Sequence, residues 1–333
     1  MPNRFHRSLL AASLAMACSH SALAADEAVS APVVVQAIEA NFGVTPGQRR
    51  NHIKGTCSAG DFAGTPDAAR ISRSALFSGR TVPVIARFSL AGGNPKMSDA
   101  TPNPRGMALE FKLPENRLHH ITMLNVPVFG AATPRTFLAA QRATLPDPAT
   151  GRPDPEKIKA FRAAFPDATP LAEFLAKNPP PKSYATASYF GIHTFRFIDA
   201  AGKVTLVRWQ FVPEDGEQRL TPDEMKTATA NFLETALIER TKAGPIRWTM
   251  VGTIGEPGDT EDNPTVAWPE GRRKVTLGTL ALRSASPQAG AECEKINFDP
   301  LIMSDGVAPT NDPVLLFRSP AYAVSFAKRI SGQ

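Results

Sequence analysis

Hydrophobic positions along the chain change period several times, and each change marks a different kind of element. Val33, Val34, Ala37, Ile38 and Phe42 recur near helical spacing, which predicts a helix within residues 25–42. Residues 82–88, 106–112 and 120–124 are short runs rich in branched and aromatic side chains, as strands are. Between residues 134 and 178 the pattern turns helical, in segments bounded by prolines, and Pro179-Pro180-Pro181 forms a stiff connector. Residues 193–198 and 204–212 read as two strands, with Ala200-Ala201-Gly202-Lys203 as the turn of a hairpin. Thr221-Pro222-Asp223-Glu224 is a capping box with proline at the first helical position. It predicts one helix through Met225, Phe232 and Ile238 to the stop at Gly244-Pro245. Strands at 246–254 and 275–282 follow, and then a final helix that carries Arg318 and Tyr322. Strands interrupted by grouped helices predict an α+β fold around an antiparallel barrel, as a single domain over residues 25–333.

Residues 1–24 have the form of a secretory signal. Arg4 and Arg7 precede an apolar stretch, and Ala22-Leu23-Ala24 offers a small-residue cleavage site before Ala25. The apolar stretch is short for a bilayer, and no later segment reads as a membrane span. A periplasmic or secreted location is therefore expected. The 333-residue chain has a formal net charge of +6, which falls when Arg4 and Arg7 leave with the signal. So mild and dispersed a charge argues for no nucleic-acid partner. Cys18 also leaves. Cys57 and Cys293 remain, either as a disulfide, which an exported chain permits, or as two buried thiols.

Few residues are candidates for chemistry. Arg318 precedes Tyr322 by one helical turn, so a guanidinium and a phenol share one face. A free phenol ionises near pH ~10 and is a poor ligand. A neighbouring guanidinium favours the phenolate, a hard anion suited to Fe(III). His52 lies in a polar loop that ends in Lys54-Gly55. His119 and His120 are strand neighbours that point to opposite faces, so one buried and one exposed histidine is expected rather than a metal pair. Ala91-Gly92-Gly93-Asn94 lacks the lysine and spacing of a phosphate loop and reads as a plain turn.

Taken in order, six segments make the chain resemble the haem catalases. They are Arg49-x-x-His52-x-Lys54-Gly55, Arg87-Phe88-Ser89, Pro104-Arg105-Gly106, Asn125-x-Pro127-x-Phe129, Gly191-Ile192-His193-Thr194-Phe195, and Arg318-x-x-x-Tyr322 with Arg329 beyond it. Together they cover the chain from about residue 35 to its end. The resemblance implies a catalase-like barrel with helices packed around it and a C-terminal helix that supplies the haem ligand. It makes Tyr322 the iron ligand, as tyrosine is in catalases, with Arg318 holding it ionised. His52 becomes the distal acid and base, Ser89 the partner that sets its tautomer, and Asn125 the group that orients peroxide. Arg49, Arg87 and Arg329 meet the haem propionates. His193 is structural or channel-lining. The cofactor implied is haem, with haem b the expected variant and no NADPH. Peroxide and an electron donor of unstated identity are the partners, and a homodimer is a candidate assembly.

The chain also departs from the family pattern. Asn51 stands where an apolar residue is usual, Gly130 where a second aromatic is common, and Phe326 in place of a histidine. The chain stops at Gln333, where full-length catalases continue with a wrapping segment and a helical domain. In this it is similar to the small exported catalase-related peroxidases. The expectation is a peroxidase whose opened pocket admits organic donors and hydroperoxides, with Asn51 and Gly130 making the distal side more polar and roomier. A true catalase is the alternative, and a barrel that only carries haem or another ligand is a second.

Overall fold

The computed structural model describes residues 29–333; the signal sequence expected at 1–24 lies outside the described residues. Ten strands share one antiparallel sheet. They are β1 (Gly55–Gly64), β2 (Thr81–Leu90), β3 (Arg105–Lys112), β4 (Leu118–Leu124), β5 (Tyr189–Phe190), β6 (Phe195–Ile198), β7 (Val204–Pro213), β8 (Ile246–Ile254), β9 (Lys274–Pro287) and β10 (Val307–Pro309). Their order is β7-β5-β4-β3-β2-β1-β9-β8, and pairing of β8 back onto β7 closes the ring, with β6 and β10 extending from β7. Closure leaves no edge within the ring open to another chain. The expected α+β barrel is the fold observed.

The helices are α1 (Ala31–Phe42), α2 (Pro66–Ile71), α3 (Pro134–Ala143), α4 (Pro155–Ala164), α5 (Thr169–Lys177), α6 (Pro222–Thr227), α7 (Phe232–Lys242), the short α8 (Glu292–Lys295) and α9 (Pro313–Ile330). Two sequence expectations change. The capping box at Thr221 forms as predicted, but the helix it starts ends at Thr227. Residues between α6 and α7 are drawn out because Ala230 O accepts from Lys54 Nζ (2.6 Å) and from Asp99 N (3.0 Å). Leu233 N then donates to Asp99 Oδ2 at the start of α7. Tertiary hydrogen bonds override the continuous helical pattern. The second change concerns His119 and His120, which are both buried. They do point apart, but residues 296–304 cover the face expected to be exposed. His120 bonds Glu110 Oε2 at 2.9 Å beneath Phe298, and His119 bonds Ser304 Oγ at 2.9 Å.

Phe62, Phe88, Phe111, Tyr184, Tyr189, Phe211 and Trp248 are fully buried in one core cluster. Edge-on and stacked ring contacts such as Phe62–Phe111 (5.4 Å) and Phe88–Tyr184 (5.1 Å) fill that core. Space for a large ligand lies instead between strands β2–β4 and the helices α1, α3 and α9. Val34, Ile38 and Leu138 form a second apolar cluster there, packed with Phe137 and Phe317. Cys57 of β1 is bonded to Cys293 of α8, which decides between the two alternatives for the cysteines. The bridge fastens the segment after β9 across the outside of the barrel, where Phe298 packs beside it.

Candidate active site

A cavity of about 250 Å³ is bounded by α9 on one side and by the loop holding His52 together with β2 and β3 on another. On the α9 side, Pro313 opens the helix and Asp312 caps it, accepting from Val314 N (2.8 Å) and Leu315 N (3.1 Å). One turn separates Arg318 from Tyr322, and Arg318 Nη2 donates to Tyr322 Oη at 3.2 Å and to Thr122 Oγ1 at 2.6 Å. A fixed positive charge thus sits against the phenol oxygen. Behind it, the other Asp312 oxygen bonds His193 Nδ1 at 2.6 Å, with both groups buried. Burial holds His193 below the usual imidazole range and the nearby Arg318 charge adds to this, while the bond to Asp312 acts in the opposite sense. Among the described residues, His193 Nε2 and Arg318 Nη1 have no hydrogen-bond partner.

The histidine side is assembled from distant parts of the chain. His52 Nδ1 pairs with Ser89 Oγ at 3.0 Å, as expected for a bond that selects the tautomer. Gly106 of β3 passes so close that a Cβ there would lie 2.7 Å from Ser89 Oγ, which is why glycine occupies that place in Pro104-Arg105-Gly106. A Cβ at Gly55 would likewise lie 2.5 Å from Arg87 Nη2. Arg87 Nη2 uses that passage to donate to His52 O at 2.7 Å and to Gln288 Oε1 at 2.6 Å. Burial, followed by the charges of Arg87, Arg318 and Arg49, pushes His52 down to about 3. At neutral pH the imidazole is therefore uncharged, with Nε2 the ring nitrogen left for a ligand.

Arg49, Arg87 and Arg329 converge at one end of the cavity. Arg49 donates to Cys293 O (3.1 Å) and Ile296 O (2.7 Å), and Arg329 to Glu294 O (2.9 Å). Among the described residues none of the three is ion-paired with a carboxylate. Burial and the charges of Arg87 and Arg329 pull Arg49 down to about 8, and Arg87 falls to about 10 chiefly through burial. Concentrated positive charge of this kind is stable only if an anion joins it. Met107, Met123, Phe129 and Phe317 supply an apolar lining beside it. Among the described residues, no cluster of His, Cys, Asp or Glu could hold a bare metal ion. A lone tyrosine ligand suits an iron that brings its other ligands in a porphyrin. The donor set, the apolar walls and the unpaired arginines fit haem.

Most of the residues named from sequence come together here: His52, Ser89, Arg87, Arg49, Arg318, Tyr322 and Arg329 all line the cavity. Asn125 does not. Its Oδ1 accepts from Arg105 N at 2.7 Å, tying the ends of β3 and β4, and the residue faces a smaller neighbouring cavity beside Phe190 and Arg219. Gly130 is not open space either, because a Cβ there would meet Leu171 Cδ2 at 2.8 Å; a side chain from α5 fills the expected gap. Asn51 lines the cavity, with its oxygen engaged by backbone N–H groups. Phe326 lies under the Arg329 guanidinium at 4.7 Å. Asp312 and Gln288 went unnamed by sequence reasoning. Asp312 gave one signal, an aspartate before proline at a helix start, and Gln288 gave none.

The comparisons with known proteins agree. The family profile described as Catalase matches residues 45–333. A catalase-related peroxidase of Synechococcus elongatus is 58% identical over 299 residues, covering 90% of this chain and 88% of that one. A catalase-related peroxidase of Mycolicibacterium paratuberculosis is 33% identical over 296 residues, covering 89% and 93%. In structure, catalase A from Saccharomyces cerevisiae superposes with a TM-score of 0.79 at 24% identity, over 86% of this chain and 62% of that one, a likeness of fold. On profile, relatives and site geometry together, this chain belongs to the catalase family.

Proposed function

We propose that the protein is an exported peroxidase with haem b as its bound group and no NADPH. It reduces hydrogen peroxide and organic hydroperoxides at the expense of an organic donor. The observation that carries this reading is the cluster of Arg87, which is buried, with the half-buried Arg49 and Arg329, none with a carboxylate partner among the described residues, placed between a tyrosine–arginine pair and an uncharged histidine. Tyr322 would hold the iron, and Arg49, Arg87 and Arg329 would hold the propionates. Bound haem supplies redox-active iron that accepts oxidising equivalents from a peroxide and passes them to a donor.

The protein's own part is proton handling and exclusion of water. His52 Nε2 takes the proton from the peroxide and returns it to the departing oxygen, while Ser89 keeps Nδ1 occupied. In one turnover the O–O bond breaks, the peroxide leaves as water and alcohol or as two waters, and the donor gives up the two electrons and two protons that this requires. Arg318 holds positive charge against the ligand oxygen throughout. The apolar residues beside the arginines keep the site dry and accommodate an alkyl chain. Two relatives named catalase-related peroxidase match over 88% and 93% of their own length, which favours donor oxidation over oxygen release.

Purified holoprotein supplied with hydrogen peroxide or an alkyl hydroperoxide and a phenolic dye provides the test. Donor oxidation with weak oxygen release is expected. Vigorous oxygen evolution without dye oxidation would make the protein a true catalase, and neither activity would leave a carrier barrel.

A further inference from the structure

His52 has a backbone φ of 54°, in the left-handed region that few residues other than glycine occupy, asparagine, aspartate and histidine more often than most. Such a conformation persists only where surrounding bonds enforce it. Its N–H donates to Asn51 Oδ1 at 2.8 Å, its carbonyl accepts from Arg87 Nη2 at 2.7 Å, and its Nδ1 is paired with Ser89 Oγ. Asn51 does more than close a local turn. The same Oδ1 accepts from Gly92 N, also at 2.8 Å, while Ile53 N donates to Gly92 O at 3.2 Å. One side-chain oxygen therefore joins the histidine loop to the turn that follows β2, the strand carrying Arg87 and Ser89. Asn51 also lines the cavity.

We propose that Asn51 is a positioning residue whose shared carboxamide oxygen holds His52 in its left-handed conformation and aims Nε2 at the peroxide. An alkyl side chain of the same size would leave two backbone N–H groups without their acceptor. Residue 52 could then relax toward an ordinary φ, carrying the imidazole away from its aim. Displacement of a reacting group by about 1 Å is enough to cost on the order of 10²-fold in rate. The identity of the substrate rests on the peroxidase reading; the anchoring of residue 52 does not.

The test compares Asn51→Leu and Asn51→Asp with wild type as full-length mature holoproteins. Hydrogen exchange of the segments around residues 52 and 92 is followed by mass spectrometry, and the reaction with hydrogen peroxide by stopped-flow absorbance across pH. Asn51→Leu should exchange faster in both segments and react about 10- to 100-fold more slowly. Asn51→Asp keeps the acceptor oxygen, so protection and most of the rate should return. Its carboxylate would oppose the Arg87, Arg318 and Arg49 charges that face His52, moving the acid limb of the pH profile upward. Unchanged exchange or a wild-type rate in Asn51→Leu would overturn the proposal, as would failure of Asn51→Asp to recover either. If Asn51→Leu does not fold, Asn51→Asp decides alone: wild-type protection with a shifted limb supports the proposal, and loss of protection overturns it. A wild type with no peroxide chemistry would sink the functional reading, and the exchange comparison would still decide the role of Asn51.

Discussion

On the tyrosine side of the cavity Arg318, Tyr322 and Arg329 stand on one helix, whereas the histidine side is gathered from four stretches of chain. There His52 meets Ser89 37 residues away, and Arg87 meets Gln288 201 residues away. The first wall takes its spacing from helical pitch, with Arg318 and Tyr322 placed by one turn of backbone. The second has its spacing only once β1, β2, β3 and β9 have paired and the barrel has closed. A substitution on the first wall should therefore remove a ligand and leave the barrel intact. A substitution on the second can disturb the aim of the imidazole without touching what binds the cofactor.

The largest expected effect separates the walls outright. Tyr322→Phe keeps the ring and removes the proposed iron ligand, so purified protein should lose most of its haem, read as Soret absorbance per chain. A fully loaded variant with an unaltered spectrum would place the ligand elsewhere. His52→Ala should do the reverse, binding haem normally while reacting with peroxide about 10²–10⁴-fold more slowly. Stopped-flow mixing measures this, and a wild-type rate would remove His52 from the mechanism.

The segment that bears on both walls is the one the disulfide fastens. Carbonyls of Cys293, Glu294 and Ile296 hold Arg49 and Arg329 at the arginine-rich end of the cavity. The bridge closes a loop spanning 236 positions, for which chain entropy gives an upper value of roughly 5 kcal/mol of stability. Cys57→Ser with Cys293→Ser should lower the melting temperature and weaken haem retention, yet leave the rate per bound haem nearly unchanged. A large loss in rate per haem would show that the bridge also supports the histidine wall.

A pH titration sharpens the comparison further. His52 and His119 are both pushed to about 3, and burial is the first cause in each. An unfolded imidazole titrates near ~6.5, so below that value the unfolded chain binds protons that the folded one refuses. Stability should be complete above about pH 6.5 and fall steadily as pH drops toward 3. Melting of the apoprotein between pH 7 and 4 tests this, and a flat profile would contradict the neutral buried histidines. Haem carboxylates among the arginines should ease the effect at His52 and leave it at His119.

The same contrast explains what could be read from the sequence. Arg318–Tyr322 was legible because a helix converts spacing directly into proximity. Gly55 and Gly106 were visible as motif glycines, but the need for them comes from Arg87 and Ser89 crossing close by, a fact of strand packing. β1, rich in glycine and alanine, has little strand propensity of its own and exists because β2 and β9 grip it from both sides. The break between α6 and α7 was hidden for a similar reason, since Lys54 and Asp99 impose it from elsewhere in the chain. Asn51 was legible as a departure from the family pattern, but the two backbone N–H groups that its oxygen accepts from were not. Whether a carboxamide faces a cavity or a backbone N–H depends on the loop around it.

The smallest expected effect concerns Asn125, where motif and geometry diverge. By its place in Asn125-x-Pro127-x-Phe129 it should orient peroxide, but its oxygen is bonded to Arg105 N and it stands outside the cavity lining. Removing that acceptor leaves a buried backbone N–H unpaired, which costs about 1–3 kcal/mol. Asn125→Ala should therefore unfold at lower denaturant concentration while holding its haem, and its reaction with peroxide should slow far less than that of His52→Ala. Asn125→Asp retains an acceptor and should recover most of the lost stability. If instead Asn125→Ala matched His52→Ala in rate with no change in stability, the carboxamide nitrogen would be acting on the substrate. The histidine wall would then extend to the end of β4.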